Sequence, residues 1–516
     1  MHDLIISGGE VHDGFASAPV TADVAVTAGR VTAVGKDLGA ARRTIDATGL
    51  VTAPGFVDPH SHSDSVPFLP DAQPFKLLQG VTTEVVGNCG FSMGPADPAT
   101  ADLSPIQLGE QTFTTFADYL DAAEAAGLSN HLAPLVGHNT LRLAVAGLDR
   151  RLPPGGLDRL CALTEEAFAA GARGLSSGLE YVPGAYADPA ELTALARIAR
   201  RYDGTYATHM RSESEGLADA LGEAVAIARA AGTRLQVSHC KASGRAVHGA
   251  SRLILDTLAE ARRNGVDARA DQYPYRAFCT SMSAMLPPEA CEGGMDALRA
   301  RLLDPRTRAA LRATAEAPGP GTGVGLWREV HPEDLQILRH TDPSVTGRRL
   351  ADVLAGREPW DVLCELLVAD PQAYVVCHTM DEDDVRTIMA DPLVAIGSDS
   401  DIPIGPNHPR TYGTFPTFLG GYVRDAGVVD LAEAIRKVTS ATASQFGLSD
   451  RGWIGRGSVA DLVLLDPARI GHAGTYEHPD LRPTGVTHVF LAGEQVIADG
   501  EFTGERRGRM LRSERR

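Results

Sequence analysis

The sequence predicts an α/β protein with three parts: a (β/α)8, TIM-like barrel over about 55–440, a small β-sandwich domain built from both termini (1–54 and 441–516), and a helical insertion near 289–345. Three observations predict it. Short apolar strands alternate with Ala/Leu/Arg/Glu helices through the middle of the chain, short strands broken by turns occupy both ends, and polar residues of a few chemical kinds recur just after the apolar strands. A length of 516 residues exceeds what one hydrophobic core supports, and a barrel of roughly 250–350 residues beside a smaller domain accommodates it.

Near the N-terminus, Leu4–Ile6, Asp23–Val26, Arg30–Val34 and Arg43–Asp46 read as strands separated by glycines. The βα rhythm starts at about 55, and Leu217–Ala231 reads as a helix leading into the strand Arg234–Val237. Past 289 the rhythm gives way to an Arg-rich helical piece, Met295–Glu316, and the segment Pro318–Gly323, which read as a lid or inserted subdomain. Strands return at Ala460–Leu465, Gly485–Leu491 and Gln495–Ile497. The basic run Arg506–Arg516 reads as a solvated, frayed end.

With 66 acidic against 48 basic side chains the net charge is −18, which argues against a nucleic-acid partner, because neutralising phosphates needs a basic face. Only four of the basic residues are lysines (36, 76, 241 and 437), and of these Lys36, Lys76 and Lys437 lie outside the expected strand ends. Seven cysteines scattered through a long chain fit a reducing, cytoplasmic compartment better than a disulfide framework. The opening residues have no basic start and only a three-residue apolar run, so no secretory leader is expected. No apolar stretch approaches about 18 residues, so no membrane partner is expected either. A small-molecule substrate is the expected partner.

The apolar run Gly49–Asp58 ends in Pro59-His60-Ser61-His62. Residues two apart on a strand share a face, so His60 and His62 can hold one ion together at a strand's C-terminal end, where barrel active sites lie. Cys89 follows the run Thr82–Gly87, His209 follows Tyr206–Thr208, His239 follows Gln236–Ser238, and Asp399 follows Pro392–Ser398. Each alone has a structural explanation, but six such residues at strand ends describe a zinc hydrolase. Imidazole and thiolate suit Zn²⁺, and an open fourth position lowers the pKa of water to about 7. Asp399 is the natural general base, taking the proton of water and returning it to the leaving amine.

These residues resemble the amidohydrolase superfamily, and Gly80–Pro95, with Gly87-Asn88-Cys89-Gly90-Phe91 at its centre, narrows the resemblance to the N-acyl-D-amino-acid deacylases (D-aminoacylases). Gly178–Gly184, Gln272–Tyr275, His408–Pro416 and Gly452–Val463 resemble the same family, so the likeness covers nearly the whole chain. The resemblance implies one tightly held zinc on Cys89, His209 and His239, a second, weaker site at His60 and His62, and hydrolysis of an N-acyl-D-amino acid to a carboxylate and a free D-amino acid. The alternative is another amidohydrolase reaction on the same metal site, by a cyclic-amide hydrolase or a D-specific dipeptidase.

Such a substrate carries a carboxylate, which an Arg or Lys answers. Arg410 and Lys241 are the candidates, and Tyr181, Tyr273 and Ser281 are hydroxyl partners by resemblance. The chain departs from the family at Cys240, where a second histidine is usual, and at Ser400-Asp401, where a glycine usually follows the aspartate. Asp401 reads as a substrate-facing acid or, preferably, as a turn residue, and His378 either lines the pocket or packs.

Overall fold

The computed structural model describes residues 1–69, 74–96, 111–317 and 323–514; residues 318–322 of the expected lid segment and the last two arginines of the tail lie outside the described residues. Eight parallel strands form the barrel: β1 (Phe56–Asp58), β2 (Val81–Val86), β3 (His131–Gly137), β4 (Gly174–Gly178), β5 (Thr205–His209), β6 (Arg234–Val237), β7 (Ala268–Gln272) and β8 (Val394–Ile396). They lie side by side in chain order, each pairing in parallel with the next. Both faces are covered, so β2 is buried at every position and reads as a continuous run, not an alternating one.

The covering helices bury one stripe. In Leu217–Ala231 the buried residues Leu217, Ala220, Leu221, Ala224, Val225 and Ala228 recur every three or four positions, and the helix ends at Gly232 with φ of 72°. The helix Pro189–Arg201 starts on Asp188, whose side chain accepts from the Glu191 N–H, with proline in its first turn.

The barrel does not close as it propagates. Among the described residues no ladder joins β8 to β1. The two are stitched by the isolated parallel bridge Ser61–Ser400, by the Asp399 N–H on the His60 carbonyl at 2.8 Å, and by the His62 N–H on the Ser400 carbonyl at 2.9 Å. This seam runs through the strand ends that carry His60, His62 and Asp399.

Both termini build a nine-stranded sheet. Val51–Pro54 pairs antiparallel with Leu462–Leu465, with Leu462 opposite Pro54, and so joins the N-terminal hairpins to Val486–Leu491 and Glu494–Ala498. The insertion is larger than expected and is not purely helical. It contains a three-stranded antiparallel sheet of Phe278–Ser281, Tyr374–Cys377 and Leu335–Arg339, with helices Met295–Leu303, Pro305–Ala315 and Pro359–Ala369. The strand before His378 therefore belongs to the insertion and not to the barrel.

The tail also differs from expectation. The Gly508 N–H bonds the Leu128 carbonyl, Leu511 bonds Leu132, Ser513 bonds Gly171, and Met510 is buried. Met510 and Leu511, two apolar side chains among the arginines, pack against the barrel's core clusters and give the run something to bury, and its backbone then finds partners beside them.

Candidate metal centre

Six of the residues expected at strand ends converge at the C-terminal mouth of the barrel. Cys89, His239 and Asp399 hold left-handed backbone conformations, with φ of 50°, 34° and 48°. L-residues avoid this region, and held strain of this kind clusters where side chains must be aimed. At Cys89 the neighbouring glycines permit it. Gly90 has φ of 80°, and a Cβ there would sit 2.1 Å from Asn139 Oδ1; one on Gly178 would sit 2.1 Å from the Cys89 carbonyl oxygen. The Gly-Asn-Cys-Gly motif thus lets the chain turn tightly against β4 and deliver the thiol inward.

Cys89 Sγ lies 3.5 Å from His239 Nε2 and 3.7 Å from His209 Nδ1. The other nitrogen of each ring faces a carboxylate: His209 Nε2 is 3.0 Å from Glu180 Oε2, and His239 Nδ1 is 3.0 Å from Glu213 Oε1. Glu180 favours the His209 tautomer that leaves Nδ1 as a lone pair aimed at the thiol, whereas His239 Nδ1 meets both Glu213 and, at 3.0 Å, the Lys241 amine, with Nε2 facing the thiol. Burial, reinforced by the charge of Lys241, pushes the His239 pKa down to about 3, so the ring is a neutral donor. Burial also raises the Cys89 thiol well above its ordinary value, with Asp399 adding to the effect.

On the opposite side, His60 Nε2 is 3.3 Å from Cys89 Sγ and 3.4 Å from Asp399 Oδ1, and His62 Nε2 is 3.2 Å from the same carboxylate oxygen. His60 Nδ1 is buried and lacks a hydrogen bond, although Asp271 Oδ1 lies 3.4 Å away. Burial opposes charge on Asp399, but Arg410, helped by the hydrogen bond with His62, outweighs it and holds the carboxyl well below the ordinary range. Burial likewise works against a charged His62, and Asp399 more than compensates, raising its pKa.

The chain matches the Amidohydrolase family over residues 43–497. It belongs to that family. It is 37% identical to D-aminoacylase of Alcaligenes xylosoxydans xylosoxydans, over 99% of this chain and 97% of the relative. A crystal structure of D-aminoacylase, described as defining a novel subset of amidohydrolases, superposes with a TM-score of 0.85 at 35% identity, covering 99% of this chain and 100% of the other. The N-acyl-D-glutamate deacylase of Bordetella bronchiseptica, solved with zinc and a phosphonate inhibitor, superposes with a TM-score of 0.82 at 32% identity and 99% coverage of both chains.

The donors of this amidohydrolase fit zinc. Cys89, His209 and His239 present one sulfur and two nitrogens within 4.8 Å of one another. The two S···N separations bracket the edge of about 3.6 Å that zinc–sulfur and zinc–nitrogen bonds span in a tetrahedron. His60, His62 and Asp399 form a second donor group that shares Cys89.

The expected substrate residues surround this centre unequally. Arg410 is buried, with Nη1 2.7 Å from Asp399 Oδ2 and its guanidinium 4.9 Å from the Tyr273 ring centroid. Lys241 is 3% exposed, bonds Glu213 and donates to the His239 carbonyl at 3.0 Å. Tyr181 packs edge-on to His209 at 4.8 Å, and its hydroxyl is 3.1 Å from Thr280 Oγ1. The Ser281 hydroxyl turns away to Ser283 Oγ at 2.6 Å. Asp401 lies at the mouth, its Oδ2 3.8 Å from the Cys279 thiol. His378 bonds Gln336 at 3.1 Å and packs on Tyr476.

Sequence reasoning left Glu180, Glu213 and Asp271 without roles. Asp271 carries the same strand-end signal as the others, and its Oδ1 accepts the His239 N–H at 2.8 Å. It also passed over Lys76. The backbone of Lys76 lies off the strands as expected, but its amine is fully buried among Asp58 Oδ2 at 2.6 Å, Ser398 Oγ at 2.7 Å and Glu84 Oε1 at 3.2 Å. Burial works against that charge, and the two carboxylates hold the Lys76 pKa above its ordinary value.

Proposed function

We propose that this chain hydrolyses the amide bond of N-acyl-D-amino acids with a zinc ion held by Cys89, His209 and His239. One observation carries the reading. A soft three-donor set and a buried, ionised Asp399 face each other in a chain similar from end to end to D-aminoacylase. The chemistry such an ion supplies is Lewis acidity, which polarises an amide carbonyl and makes water a better nucleophile at neutral pH.

The residues of the chain do the rest. Asp399 accepts the proton of the attacking water at Oδ1 and delivers it to the amine nitrogen as the amide bond breaks, so charge is never left on the leaving group. His60 and His62 hold that oxygen in place from one side. Arg410 holds Oδ2 from the other, and its Nε and the hydroxyl of Tyr273, the ring it stacks on, are buried without hydrogen-bond partners. A substrate carboxylate satisfies them both. As that carboxylate draws on Arg410, the guanidinium's hold on Asp399 slackens and the base strengthens when it is needed. Lys241 steers the same anion while Glu213 keeps its charge balanced. His60 and His62 are the donors of a second, weaker ion. The seven free cysteines support a reducing, cytoplasmic compartment.

The test is amine release from N-acetyl-D-methionine, N-acetyl-L-methionine and N-acetyl-D-glutamate by protein of known zinc content. Release from D-forms alone with about one tightly held zinc per chain is expected. Zinc present with no linear substrate cleaved, but hydantoins or dipeptides opened, overturns it.

A further inference from the structure

We propose that Lys76 is a positioning residue that locks the seam between β8 and β1, setting the distance from Asp399 to His60 and His62. The proposal uses the ion-binding half of the function proposed above and is independent of the substrate.

The seam is where the barrel lacks a ladder, and it is also where its two functional strand ends must keep register. Among the described residues two backbone hydrogen bonds cross it, Asp399 N–H to the His60 carbonyl and His62 N–H to the Ser400 carbonyl, around the single bridge Ser61–Ser400. The remaining connections run through one buried cluster. Asp58, the last residue of β1, accepts the His60 N–H at 3.1 Å and the Ser398 N–H at 2.9 Å on Oδ1, and the Ser398 hydroxyl at 2.5 Å on Oδ2. Lys76 caps both partners, reaching Asp58 Oδ2 and Ser398 Oγ from the connection between β1 and β2. It also faces Glu84 of β2, whose carboxylate receives the Ser63 hydroxyl at 2.7 Å and the Asn130 amide at 2.8 Å. One amine therefore ties β1, β2 and the chain after β8 together, through Ser398 one residue from Asp399 and through Asp58 two residues from His60.

Stability alone is a poor account of this arrangement. Desolvating a lysine and two carboxylates consumes most of their attraction, and apolar replacements of buried ion clusters are commonly neutral or stabilising. What the cluster supplies is geometry, because each partner has a single arrangement that satisfies all of them. Seen from the metal centre, it supports His60 and Asp399 from below, whereas Glu180 and Glu213 support His209 and His239 from outside.

The experiment compares Ser398→Ala and Lys76→Met with the natural chain, all purified with one zinc and titrated calorimetrically with Cd²⁺. Ser398→Ala removes the hydroxyl link without unpairing a buried charge. It should weaken the second ion about tenfold and lower kcat by a similar factor, with KM and chelator resistance of the first zinc unchanged. Lys76→Met should show the same pattern enlarged; if it fails to fold, Ser398→Ala decides. Second-ion affinity and kcat within twofold of the natural chain overturn the proposal. So do parallel losses of both ions with a collapsed Tm, which mark a merely structural role, and a natural chain that takes up no second ion. If N-acyl-D-amino acids prove not to be substrates, the Cd²⁺ titration still reads the proposal.

Discussion

The two halves of the metal centre are built by different means. On the side of β4 to β6, His209 ends β5 and His239 follows β6 by two residues, on strands joined by parallel ladders, and Glu180 and Glu213 lie at the remote nitrogen of each ring. On the side of the seam, His60, His62 and Asp399 follow the ends of β1 and β8, strands with no ladder between them among the described residues, and buried side-chain charges add to two backbone hydrogen bonds in holding the parts together. A ladder spaces its residues whatever ion or substrate is near. A charge network holds its geometry only while its charges are balanced, so it responds to an arriving anion or cation. The first half suits permanent tenancy, and the second suits chemistry that must shift a proton and release a product.

This contrast can be broken in several ways. The largest effect is expected from Asp399→Asn: kcat for N-acetyl-D-methionine should fall about a thousandfold while zinc content stays at the natural level, since only the seam side is touched. Lost zinc in that variant would show that the two halves are not separable. Arg410→Met should come next, with kcat/KM lower by about a hundredfold through loss of the charge-assisted hydrogen bonds to the substrate carboxylate. Its pH profile gives the sign. Arg410 is the foremost attraction lowering the Asp399 pKa, so its removal raises that pKa and the acid limb of kcat/KM moves to higher pH. An unmoved limb would separate Arg410 from the base. The smallest effect is expected on the other half, where Glu180→Gln and Glu213→Gln should each loosen the tight zinc about tenfold against a chelator and leave Cd²⁺ binding at His60 and His62 unchanged. Equal weakening of both ions would erase the distinction.

The sequence displayed the donors of both halves, His60, His62 and Asp399 by the same strand-end signal as the rest, and missed the groups that orient them in both. His209, His239 and Cys89 announce themselves because a polar residue after an apolar strand is a local pattern, and the barrel places every such position at one mouth. The roles of Glu180 and Glu213 are set by where loops fold back, which no spacing encodes. Lys76 was out of reach for a further reason. It sits in a connection, and only its long side chain enters the barrel, to meet a partner 322 residues later in the chain. The insertion was under-read because Phe278–Ser281 and Tyr374–Cys377 pair across almost a hundred residues, so their apolar runs pass for barrel strands. The tail, read as frayed, docks because Met510 and Leu511 pack on the core and Arg512 pairs with Asp121 and Glu124.

The pairing of Val51–Pro54 with Leu462–Leu465 also has a bearing on how the protein is made. At ordinary translation rates of about 5–20 residues per second, roughly 400 residues separate the two strands by about 20–80 s of synthesis. Throughout that interval the N-terminal hairpins present Val51–Pro54 as an unsatisfied edge, the kind of surface on which nascent chains adhere to one another. Any truncation before Leu462 makes that interval permanent, so shortened versions of this enzyme should accumulate as aggregates even where the barrel itself is intact.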